Sequence, residues 1–116
     1  MAAPVVHFEI LGKNGDGLKK FYGTIFDWKI NSDNPMNYGL VESAGEGSIA
    51  GGIGQVEEGQ PNSASFYIGV ADIKATLAEI EKAGGKTVVP ETEIPNMVTF
   101  AMFADPEGNI VGLVKQ

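Results

Sequence analysis

Four side chains in this sequence are equipped for chemistry: His7, Glu9, Ser65 and Tyr67. His7 is the only histidine of the chain. An imidazole titrates near neutrality, so it can accept a proton, donate one, or ligate a metal. Glu9 follows two residues on, in Val5-Val6-His7-Phe8-Glu9-Ile10. A carboxylate in mid-strand is disfavoured unless solvated or paired. Glu9 therefore reads as a base, as a partner for a ligand's amine or hydroxyl, or as the wet wall of a cleft. Tyr67 can donate a hydrogen bond or offer a ring for stacking. Ser65 has no base at a spacing that would activate it, which argues against nucleophilic catalysis. The plainer alternatives are a hydrogen-bonded histidine at position 7 and half-buried packing at position 67.

Strands and helices must position these groups. In the first run Val5, His7 and Glu9 point one way by alternation, and Val6, Phe8 and Ile10 point the other. Ser65-Phe66-Tyr67-Ile68-Gly69-Val70 is the corresponding strand of the second half. Asp16 and Asp72 are candidate helix caps. Leu18, Phe21, Tyr22 and Ile25 follow the first at helical spacing, and Ile73, Leu77 and Ile80 follow the second. Trp28-Lys29-Ile30, Tyr38 to Val41 and Ile49 to Ile53 are expected strands of the first half. Lys86 to Val89 (closed by Pro90), Val98 to Phe103 and about Asn109 to Val114 are those of the second. The closing stretches repeat: Glu46-Gly47-Ser48-Ile49-Ala50-Gly51 against Glu107-Gly108-Asn109-Ile110-Val111-Gly112. The chain reads as two copies of strand–helix–strand–strand–strand. The first module covers about residues 4–55, a linker about 56–63, and the second module about 64–116, within one domain spanning 1–116.

Composition narrows the function. The chain of 116 residues is 43% hydrophobic and 20% charged, enough to bury a core. Its net charge of -7 and lack of a basic stripe argue against nucleic acid and anionic membranes as partners. Without cysteine there is no disulfide framework, thiolate nucleophile or thiolate zinc site. Met1-Ala2-Ala3-Pro4 has neither the charged region nor the apolar core of a signal peptide, and no run reaches membrane-spanning length. A cytoplasmic protein is expected.

Phe21-Tyr22 with Phe26-Asp27-Trp28 after the first strand, the Gly84-Gly85 helix stop, Asp105-Pro106-Glu107-Gly108-Asn109 and the order of elements form one ordered set. Together they resemble the glyoxalase/bleomycin-resistance/dioxygenase (vicinal oxygen chelate) superfamily. It implies an α+β fold in which two βαβββ modules form a half-open curved barrel around a cleft. It also implies, for metal-using members, a divalent ion held by His, Gln or Glu from the first and last strands of each module. Carried over by position, those sites are His7, Gly51, Ser65 and Gly112. Only His7 is a good ligand, so three of the four positions are lost and no metal cofactor is expected. Binding of a divalent metal by some other ligand set stays open.

The same carry-over orients the cleft. His7, Glu9, Ser65 and Tyr67 would face it, with Ile49, Gly51 and Ile53 from one last strand and Ile110, Gly112 and Val114 from the other. An apolar cavity with a few convergent polar groups is the ordinary make-up of a small-molecule site. Gly51→Leu would then fill ligand space with little unfolding. The first functional expectation is metal-independent binding of a small-molecule ligand in that apolar cleft. The second is a metal-dependent lyase, isomerase or dioxygenase-like enzyme using His7 and Glu9 as its catalytic groups. The third is a drug-sequestering resistance protein. Relatives often dimerise and edge strands would be available, so a homodimer is compatible with the sequence.

Overall fold

The computed structural model describes residues 2–116. Its elements run β1 (Val5–Gly12), α1 (Gly15–Phe26), β2 (Ile30–Asn31), β3 (Gly39–Val41), β4 (Ala50–Gln55), β5 (Ser63–Val70), α2 (Ile73–Lys82), β6 (Lys86–Ile94), β7 (Val98–Ala104) and β8 (Ile110–Lys115). This is an α+β chain of two βαβββ modules, the order that the sequence predicts. Contacts group it into two compact units. One is His7–Ala64; the other is Ser65–Gln116, joined by the start of the chain as far as Val6.

In the first module the strand order is β2-β3-β4-β1. β4 runs parallel to β1 and antiparallel to β3. The helix cap differs from expectation. Asn14 caps α1, its side-chain oxygen accepting from Gly17 N–H at 2.9 Å, and Asp16 lies inside the first turn. Two residues of capping type stand two apart here, and only the one whose backbone leaves the helix can cap it. Phe8 on β1 meets Trp28 at 5.2 Å between ring centroids, and Tyr22 of α1 stacks on Trp28 at 5.2 Å and 11°. Trp28 thus serves the aromatic core and stands outside β2, which is shorter than expected. Ile53 is fully buried on this same side, and Val41 nearly so. Phe21 and Ile25 lie off the sheet, 55% and 60% exposed, so the covered stripe of α1 is narrower than its apolar pattern.

In the second module the order is β5-β8-β7-β6, with β8 parallel to β5 and the remaining pairs antiparallel. Asp72 caps α2, accepting from Ala75 N–H at 3.0 Å, as expected. Ile73 and Leu77 of α2 pack on Ala101 and Leu113, with Ile68, Val70, Ile80 and Phe103 around them. Burying side chains of this size contributes about 1.5–3 kcal/mol each. α2 ends at Ala83 and Gly84, where Gly84 takes φ of 101°, a conformation that only glycine adopts freely. β6 does not stop at Pro90. It continues to Ile94 through two register shifts around Val89. β6 ends the strand order, and an edge position tolerates a residue without an N–H. The chain start is tied into this unit by Pro4, whose carbonyl accepts from Gly69 N–H at 2.9 Å. Among the described residues no helix is long and apolar enough to cross a membrane.

Candidate functional site

Alternation along β1 places His7 and Glu9 on one face, and parallel pairing sets Ala50 beside His7 and Gly52 beside Glu9. Gly52 has no side chain, and the ring of Tyr38 takes the space. A β-carbon at position 52 would stand 1.9 Å from Tyr38 Oη. The phenol oxygen lies 3.0 Å from His7 Nε2, and its hydroxyl donates to Glu9 Oε2 at 2.9 Å. Tyr38 therefore joins the two residues that the sequence singles out.

In the sequence Tyr38 reads as the first residue of a strand, which gives no sign of a functional role. In the structure it lies one residue before β3, at the end of a strap that holds it tightly. Asn34 grips its backbone from both sides: Oδ1 accepts from Tyr38 N–H at 3.0 Å, and Nδ2 donates to the Tyr38 carbonyl at 2.7 Å. Asn37, with φ of 53°, docks the strap on α1. Its carbonyl accepts from Lys19 Nζ at 2.6 Å, and its amide donates to Asp16 Oδ1 at 3.1 Å. A pocket of about 470 Å³ opens beside the strap, with Gly15, Lys19, Tyr38, Gln55 and Glu57 in its wall. The sequence signal that points to Tyr38 is the run Gly51-Gly52-Ile53-Gly54. A strand that sheds side chains at alternate positions leaves room for a ring from elsewhere.

The shifts of His7 and Asp16 have different causes. Desolvation pushes the His7 imidazole below its ordinary range, which favours its neutral form. Asp16 is held below the usual carboxylate range, first by the Asn37 amide and then by Lys19.

The remaining expected site residues divide by module. Gly51 does not share the face of His7. It pairs with Phe8, and a β-carbon there would stand 2.2 Å from Phe8 Cε2. Ile53 pairs with Ile10 and is fully buried on that same side, away from His7. Ile49 precedes β4 altogether and is 40% exposed. The repeat is out of step with the pairing by one residue: Gly52 opposes Glu9 as Gly112 opposes Tyr67. A one-residue slip exchanges the faces of a whole strand. The second module keeps its expected face. Tyr67 pairs with Gly112 and Gly69 with Val114, so these share a side with Ser65 and Ile110 by alternation. The Tyr67 ring covers Gly112, where a β-carbon would stand 2.3 Å from Cδ2. Ser65 Oγ donates to the Ile110 carbonyl at 2.7 Å.

The positions carried over from metal-using members offer few free side-chain ligands. Gly52 and Gly112 offer no side-chain ligand and lie under aromatic rings. The Ser65 hydroxyl is engaged with a backbone carbonyl. Between His7 and Glu9 stands a phenol hydrogen-bonded to both. Among the described residues no three His, Cys, Asp or Glu side chains form a metal-ligating group.

Comparison with known proteins bears on the family. The sequence pattern of the Glyoxalase/Bleomycin resistance protein/Dioxygenase superfamily matches residues 5–113. A glyoxylase-like domain-containing protein of Didymella fabae is 33% identical over 110 residues, covering 87% of this chain and 84% of the relative. A putative glyoxylase, CFP32, of Mycobacterium bovis is 33% identical over 80 residues, covering 69% of this chain. The chain spans about 30% of the length of that mycobacterial relative. Among solved structures, a hypothetical protein of Bacillus halodurans superposes with a TM-score of 0.71 at 16% identity, over 100% of this chain and 96% of that one. Streptomyces coelicolor methylmalonyl-CoA epimerase gives 0.70 at 15% identity, also over 100% and 96%. At such identities the likeness is one of fold.

Proposed function

Because the chain belongs to the Glyoxalase/Bleomycin resistance protein/Dioxygenase superfamily, we propose that it binds a small organic molecule without a metal, through the cluster His7, Tyr38 and Glu9. One observation carries this reading: the Tyr38 hydroxyl bridges His7 and Glu9, where a metal-using protein would need open ligands. The cluster offers donors and acceptors on a strand face that is otherwise small and apolar, with Ala50 and Leu40 beside it. On the second module, Ser65, Tyr67, Ile110, Gly112 and Val114 are proposed as ligand contacts on that module's own sheet face. The chain has no arginine, so a phosphate-rich ligand would lack bidentate guanidinium contacts.

The second reading is proton transfer of the isomerase or lyase type, with His7 and Glu9 as the titrating groups. The same bridge favours it, since a hydroxyl bonded to both can pass a proton between them. The epimerase that shares the fold keeps this reading in view. Drug sequestration draws support only from the net charge of -7.

A fragment screen by NMR tests the binding reading, run on the native chain and on Tyr38→Phe and Tyr67→Ala. Hits should shift His7, Glu9 and Tyr38 and weaken in Tyr38→Phe, with affinities in the micromolar range typical of small apolar ligands. Hits that move Phe8, Leu18 and Tyr22 and leave His7 and Glu9 unmoved would place the site on the helix side. Elemental analysis of protein purified without chelators tests metal independence; a stoichiometric divalent metal bound at His7 would overturn it.

A further inference from the structure

We infer that Tyr38 fixes the tautomer of His7, committing Nε2 as a donor and leaving Nδ1 as the basic nitrogen, and that Asn34 is the positioning residue for this arrangement. The inference rests on the reading of His7, Tyr38 and Glu9 as the binding cluster. A phenol carries one proton. With its carboxyl ionised, Glu9 can only accept. The 2.9 Å contact from Tyr38 Oη to Glu9 Oε2 therefore uses the phenol proton. Across the 3.0 Å contact to His7 the phenol oxygen is then the acceptor, so His7 Nε2 must carry the hydrogen. In a neutral imidazole the lone pair is then at Nδ1.

The order of protons depends on where the phenol stands, and the strap decides that. Asn34 ties both backbone polar groups of Tyr38, and it also accepts from Met36 N–H at 3.2 Å. Lys19 and Asp16 anchor Asn37, the residue before Tyr38. Gly52 and Gly54 leave the ring its space; a β-carbon at 54 would already touch Tyr38 Cδ1 at 3.1 Å. Removing the Asn34 clamp frees the ring to swing while every group of the cluster stays in the chain. Asn34 thus acts through Tyr38, without being bonded to His7 or Glu9 itself.

The test is 1H–15N NMR of the single imidazole in the native protein and in Tyr38→Phe, Asn34→Ala and Asn34→Asp. The native protein should show a hydrogen on Nε2, an unprotonated Nδ1 and slow exchange of the Nε2 hydrogen with water. Tyr38→Phe keeps the ring over Gly52 and removes only the oxygen. It should speed that exchange roughly two- to tenfold, the range expected for one lost hydrogen bond. Asn34→Ala should do the same with backbone amide spectra still those of the folded chain. Asn34→Asp keeps the acceptor toward Tyr38 N–H and should fall between the native protein and Asn34→Ala. If Asn34→Ala does not fold, Asn34→Asp decides the positioning role: native exchange in that variant overturns it. A native hydrogen on Nδ1, or exchange unchanged in Tyr38→Phe, overturns the tautomer assignment. Failure of the binding reading looks different: no fragment would touch the cluster, while the Nε2 hydrogen stays protected.

Discussion

The ring of Phe8 lies across Gly51, with Cε2 2.2 Å from where a β-carbon of residue 51 would stand. Position 51 therefore belongs to the aromatic core of the first module. Gly51→Leu should unfold the chain more readily and leave the face of His7 unfilled, the reverse of the effect expected for a cleft residue. Forcing a side chain into a packed core costs about 1–3 kcal/mol, and leucine should reach the upper part of that range. Urea unfolding measures it. An unchanged midpoint in Gly51→Leu would mean that Phe8 is elsewhere.

Tyr67 and Gly112 should behave as a coupled pair. Gly112→Ala alone meets the Tyr67 ring and should destabilise, whereas in a Tyr67→Ala background the methyl group has room. The coupling from a double-mutant cycle should lie within about 0.5–3 kcal/mol, the range for residues in contact. Strict additivity of the two changes would contradict the contact.

Stability should fall as the solution is acidified, in two stages. Burial lowers the folded pKa of His7 below its ordinary value of 6.5, so the unfolded chain takes up a proton first. The loss begins as pH drops through about 6.5 and ends below the lower folded value. Asp16 and Asp105 are also depressed, by the Asn37 amide and by Asn109 respectively. Their stabilisation is present above the ordinary carboxylate value of 3.8 and is lost as pH falls through the folded values. Denaturant midpoints measured across this range should show the first stage in the native chain and a flat line there in His7→Gln. The same slope in both proteins would assign the effect to another group.

Asn14→Ala and Asp72→Ala should each cost about 1 kcal/mol, as loss of a side-chain cap does. Asp16→Ala removes no cap. It should instead loosen Asn37 and the strap, seen as faster amide exchange from Asn34 to Tyr38. A larger loss of helix from Asp16→Ala than from Asn14→Ala would return the cap to position 16.

Much of the fold was legible because its signals are local. Alternation in Val5 to Ile10, the cap at Asp72 and the stop at Gly84 each depend on a few neighbouring residues. The site was legible only in half. His7 and Glu9 follow from the period of one strand. The face of β4 does not, because Gly51, Gly52 and Gly54 erase the side-chain alternation that would reveal it. The Glu-Gly repeat was the remaining guide, and it runs one residue out of step with the strand pairing. Tyr38 reaches the site through long-range contacts, with Glu9 lying 29 residues away, and no spacing rule records such a contact.

The outer strands bear on how copies of this chain could associate. β2 has two residues, and β6 carries Pro90 within the second of its two shifts of register. A strand of two residues offers almost no ladder to extend, and a proline inside a shift of register interrupts one that would otherwise be long enough. Neither is a template for the continuous edge-to-edge pairing by which sheets grow into fibres. Any pairing of two copies along the backbone of β2 or β6 would therefore be short or interrupted.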